Sequence, residues 1–162
     1  MVELWGTVRA VLDDVSYLVL GTADADGTPW ATPLFFAARG EHRLYWVSAP
    51  GSRHSRNLAA RPTVAVTVFD SRGPIGAGDA VYLTATARAL DGDAALAGLA
   101  VLNGRLPGDR PLDPDDLLPV GSLAVYEAVV DEHRVLVRGG DPRFSNEIDT
   151  SVRVEPPPSP EI

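Results

Sequence analysis

Two prolines, Pro29 and Pro33, fall inside a run, PWATPLFFAA over 29–38, that otherwise has the composition of a strand. Proline has no N–H to give to a ladder. Such a strand therefore belongs at the edge of a sheet or carries an irregularity where the prolines sit. A broken ladder also leaves backbone groups free to meet a ligand. The run follows a hairpin signal, Ala25-Asp26-Gly27-Thr28, and ends at a second turn, Arg39-Gly40-Glu41-His42.

What comes next in the chain gives this edge a neighbour. Residues 43–48 read as a further strand, and Ala49-Pro50-Gly51-Ser52 makes a corner. A short helix then spans 53–60 and is closed by Pro62. Its start offers unpaired backbone N–H groups, the Ser52 hydroxyl and the cations of Arg53 and Arg56, with His54 and Asn57 nearby, a set that suits a phosphate. A flat apolar wall beside a phosphate site is what a phosphorylated planar ring requires.

The remaining segments read as mostly β with flanking helices. Leu4, Trp5, Val8, Val11 and Leu12 share one helical face over 3–14. Strands are expected at 16–24, 63–70 and 80–90, the last alternating cleanly from Val81 to Arg88. A helix is expected over 93–102, a long loop over 103–121, then a strand SLAVYEAVVDE, a turn and a short strand HRVLVR. The dominance of hairpin turns favours an antiparallel barrel. The expectation is one domain over 1–140 and a mobile tail over 141–162, which has no periodic apolar pattern. The Gly-rich loop over 71–79 is followed by a strand, so it reads as a flap rather than a nucleotide loop.

Composition excludes some functions. A net charge of −8 argues against general nucleic-acid binding. No apolar run is long enough to span a membrane, and no leader peptide is evident, so a cytoplasmic protein is expected. With no cysteine, three histidines and no H-x-x-x-H spacing, no metal site is expected. Every cation on a side chain is arginine, which rules out lysine Schiff-base chemistry. No spacing assembles a nucleophile with its base, so no catalytic side chain is assigned.

Three stretches in order, Gly27-x-Pro29-xxx-Pro33, LYWVSAPGSRHSRNL over 44–58 and Arg61-Pro62-x-Val64-Ala65, resemble the pyridoxamine 5′-phosphate oxidase-like family of FMN-binding split barrels. The resemblance covers roughly 16–90. It implies a split β-barrel of antiparallel strands with FMN at a homodimer interface. The isoalloxazine would run along Thr32, Pro33, Leu34, Phe35, Phe36 and Ala37 and meet Val47 and Ser48. The phosphate would lie on Arg53 and His54, with Asn57 a turn away. Trp5, Trp46 and Phe69 are candidates for the interface, with the core as their alternative place.

The chain also departs from the family. His54 replaces a lysine on the phosphate, Ala37 a lysine on the substrate, and Ala80 a glutamine on the flavin; the arginine-rich C-terminal signature is not visible. These departures imply a flavin-dependent oxidoreductase acting on a small molecule, but not a true pyridoxamine phosphate oxidase. The alternatives are a reductase using the deazaflavin coenzyme on the same fold, or a non-enzymatic flavin-binding or scaffold barrel.

Overall fold

The computed structural model describes residues 2–157. Helix α1, Val2–Asp14, is followed by strands β1, Tyr17–Ala23, β2, Pro29–Phe35, β3, Ala37–Arg39, and β4, Arg43–Ser48. Helix α2, Arg53–Ala60, leads to β5, Thr63–Phe69, and β6, Ala80–Ala89; α3, Gly92–Asn103, then precedes β7, Ala124–Val137, and β8, Thr150–Val154. All named strands pair antiparallel in one curled sheet of order β2-β1-β5-β6-β7-β4-β3, with β8 added to β7. The expected antiparallel split barrel is the observed fold.

The two ends of this sheet, β2 and β3, are consecutive in the chain. The expected single strand over 29–38 is therefore two strands on opposite edges, and Phe36 is the step between them. Phe36 is fully buried in the core, and its N–H donates to Ser16 O at 3.2 Å. Both prolines lie on the edge strand β2, as their missing donors require. Its ladder to β1 runs unbroken from Tyr17 opposite Phe35 to Ala23 opposite Pro29.

Alternation along the strands sorts the side chains. Leu18 and Leu20, Val64, Val66 and Val68, Val81 and Leu83, and Leu44 and Trp46 fill the barrel. Helix α1 covers it with Leu4, Trp5, Val8, Val11 and Leu12. On the outer face, α3 lays Ala95, Leu99 and Leu102 against Ala37, Tyr45 and Val125. Gly98 permits this approach: a Cβ there would stand 2.9 Å from Val125 Cγ1 and 3.0 Å from Tyr45 Cδ1.

Three further places add to or differ from the sequence reading. The two C-terminal strands are one, β7, because the ladder to β6 shifts past Asp131 instead of turning: Ala85 faces Val130 and Thr84 faces Glu132. Within the tail over 141–162, residues 150–154 form β8 on β7 with Val154 buried, and Phe144 packs on the core. Residues 158–162 of that tail lie outside the described residues. Trp5 and Trp46 belong to the core, whereas Phe69 is exposed.

Candidate cofactor site

Helix α2 lies against β1 and β2 beyond the corner that ends β4. Ser52 holds its N-cap position with extended backbone, yet its hydroxyl does not cap the helix. That hydroxyl donates to Ser55 Oγ at 2.8 Å and lies 3.2 Å from His54 Nε2. The first turn also contains no acidic residue. The helix start is thus left with its positive end uncompensated by side chains.

Arg53 leaves this start toward the surface, with its side chain 40% exposed. Its guanidinium stacks over the Trp30 ring, 4.4 Å from the centroid. The nearest carboxylate, Asp24, is 3.9 Å away and accepts from the N–H groups of Asp26 and Thr28 in its own turn. The arginine is therefore oriented by an aromatic face while its N–H edge makes no hydrogen bond among the described residues.

His54 points the other way. It is buried, and Nε2 lies 2.8 Å from Ser48 Oγ. Burial lowers its pKa below the ordinary imidazole value, so the ring is neutral near pH 7. Asn57 is also turned inward, giving Nδ2–H to Thr22 Oγ1 at 3.0 Å, and that hydroxyl reaches Trp30 O at 3.4 Å. This buried chain fastens α2 to both β1 and β2. The link from Thr22 and the Trp30 face were not legible in the sequence, although Trp30 and Arg53 were both within the stretch it singled out.

The other expected residues divide among three places. Thr32 and Leu34 face the same side of β2 as Trp30, by their register opposite Leu20 and Leu18. Thr32 Oγ1 is buried and has no hydrogen-bond partner, so this edge holds one unsatisfied polar atom. Pro33 and Phe35 face outward, and Phe35 meets the Tyr17 ring edge-on at 6.2 Å. Phe36 is in the barrel, while Ala37 and Val47 pack beneath α3. The backbone of Phe36 is itself engaged, its N–H with Ser16 O and its carbonyl with Arg105, and Ala37 pairs with Tyr45. Ala80, buried at the start of β6, stands opposite Phe69.

A clamp that sequence reading missed secures the seam beside this edge. Arg105 donates to the carbonyls of Asp13 at 2.8 Å, Val15 at 2.7 Å and Phe36 at 3.2 Å, and its guanidinium covers the Phe36 ring. It ties α3's end to the seam and to the α1–β1 corner. On the outer face, Glu127 is buried, which raises its pKa. Bonds from Arg43 at 2.5 Å and Tyr45 at 3.1 Å outweigh burial, so the carboxylate stays ionised below its usual range.

A family model described as pyridoxamine 5′-phosphate oxidase matches residues 4–120. The chain belongs to this family. The match extends beyond the 16–90 stretch that carried the resemblance, taking in α1 and α3. Solved structures share the fold. A heme binding protein from Mycobacterium smegmatis matches with TM-score 0.71 and 18% identity, covering 92% of this chain and 57% of that one. The heme storage protein of Vibrio cholerae matches with TM-score 0.63 and 19% identity over 78% of this chain and 89% of its own. An F420 reductase matches with TM-score 0.58 and 23% identity over 77% of this chain and 94% of its own. No curated protein matches the sequence.

Proposed function

We propose that this family member binds FMN and acts as a flavin-dependent oxidoreductase on a small molecule, as a homodimer with the cofactor at the interface. The observation that carries this reading is Arg53, held over Trp30 at an uncapped helix start with only a loose 3.9 Å ion pair to Asp24 and no hydrogen bond among the described residues. A guanidinium in that state can donate to a phosphate in bidentate fashion without first breaking a hydrogen bond. The residues fit FMN in a second respect: the buried, unpartnered Thr32 hydroxyl supplies a donor or acceptor to a polar ring edge. His54 is assigned a different task from the expected one. Neutral and bonded to Ser48, it braces the corner behind the phosphate rather than contacting it.

When bound, the flavin supplies two-electron redox chemistry. The chain's own residues bind and orient it. The outer face of β1, β5 and β6 supports the dimer reading. Tyr17 and Phe69 are exposed there, just past the Val19–Thr67 pair, with Gly21 opposite Ala65 on the other side of that pair. A second copy on this face would complete a site that one chain leaves open at its edge.

The F420 reductase neighbour supports a second reading, the deazaflavin coenzyme in the same place. The two heme-related neighbours suggest a third ligand, but His54 and His133 are buried and already hydrogen-bonded, which leaves His42 as the accessible imidazole. The absorbance spectrum of the protein after purification and after titration with each ligand decides among them. Two visible bands mean flavin, one means deazaflavin, and a Soret band means heme. A protein that takes up FMN in no condition overturns the proposal.

A further inference from the structure

A groove of about 580 Å³ opens on the other side of the corner that carries Ser52 and Arg53. Small-molecule sites commonly enclose roughly 300–1,000 Å³. Pro50 lines the mouth nearest the corner, only two residues before the Ser52 cap. Tyr126 and Val125 line it from the start of β7, Leu96 from α3, and Leu117 and Leu118 from the long loop. The Tyr126 ring itself turns into the barrel, stacked on Trp46 with centroids 5.8 Å apart and planes 9° apart, which fixes this end of β7 and holds Val125 toward the groove.

One end of the groove differs from the rest. Asp91 and Asp93 line it at the start of α3. Asp91 occupies the N-cap position but its carboxylate makes no capping bond. None of the described residues that line the groove is basic. An apolar slot with two carboxylates at one end and no cation is complementary to a molecule with an apolar ring and a positive end. It repels a phosphorylated one.

We propose that this groove binds an aromatic compound bearing a cationic amine, with the ring among Leu96, Leu118 and Val125 and the amine at Asp91 and Asp93. This ligand chemistry is independent of the flavin reading above.

The test uses the full, flavin-free chain and two probes that differ in charge: 1-naphthylmethylamine and naphthalene-1-sulfonate. Binding is followed by probe fluorescence and by leucine methyl shifts. The amine is expected to bind one to one and about tenfold or more tighter than the sulfonate. Asp91→Asn with Asp93→Asn should abolish that preference. Leu96→Ser and Leu118→Ser, both at exposed positions, should each weaken both probes while the near-UV spectrum stays unchanged. Equal or tighter sulfonate binding overturns the inference, as does an unchanged preference in the double variant. Displacement of the amine by self-association, seen by sedimentation, also overturns it by assigning the groove to a second copy. An FMN titration of the same samples keeps the two readings separate: Arg53→Ala should weaken FMN and leave amine binding unaltered.

Discussion

Replacing Arg53 by alanine tests the phosphate site most directly. The arginine contributes no hydrogen bond to the fold, and its stacking on Trp30 is at the surface, so the variant should fold with a stability loss of about 0.5–1 kcal/mol. Binding should suffer more. Hydrogen bonds to charged groups contribute roughly 1.5–3 kcal/mol, and the lower end applies here because the side chain is 40% exposed and water screens it. A loss of about 1.5 kcal/mol is about a tenfold rise in Kd. Quenching of FMN emission during titration, checked by calorimetry, measures it. Arg53→Lys should fall between the two, since an ammonium keeps the charge and loses the fork and the stack. Arg56→Ala is the control, because that guanidinium is already bonded to Gly51 O. Raising salt should weaken the wild type more than Arg53→Ala. An Arg53→Ala Kd equal to the wild type, or a loss no larger than that of Arg56→Ala, refutes the assignment.

Other expectations concern the frame that holds this site. Phe36→Ala should cost about 3–5 kcal/mol by emptying the core where the sheet's ends meet, read by chemical denaturation. Gly98→Val should cost about 1–3 kcal/mol, since even a Cβ would press on Val125 and Tyr45, and thermal unfolding will show it. His54 and His133 both have pKa values lowered by burial, so the unfolded chain binds more protons below the ordinary imidazole value of 6.5. Stability should hold above that pH and decline as pH falls below it. His133→Gln should flatten the decline in denaturation midpoints, and an unaltered slope would rule out the assignment.

Local signals in the chain were read correctly where local physics sets the structure. Strand β4 and helix α2 begin and end where turns, a corner and Pro62 place them, and the edge position of β2 follows from two missing donors. The seam at Phe36 was not legible, because it depends on where the last strand of the sheet arrives. Strand β7 looked broken at its charged stretch Asp131-Glu132-His133-Arg134, but a bulge absorbs Asp131 and the strand continues. In β8, Thr, Ser and Arg disguise the alternating Val152 and Val154. Within the site, Arg53 and His54 are adjacent in sequence and were expected to share a target. Successive helix residues point about 100° apart, and here that angle separates a surface cation from a buried, neutral ring.

The seam has a further consequence, for solubility. The free edge of a sheet is a template on which another chain can pair and aggregate. Two such edges, β2 and β3, are joined by the step at Phe36 within one molecule, and β8, paired only to β7, presents a third. On β2 the two prolines fall four residues apart, hence on the same side of the strand. The unbroken ladder to β1 places their missing donors on the outer side. On β3 the exposed ladder is only three residues long. The missing donors that mark this edge in the sequence thus deny a foothold to a foreign strand.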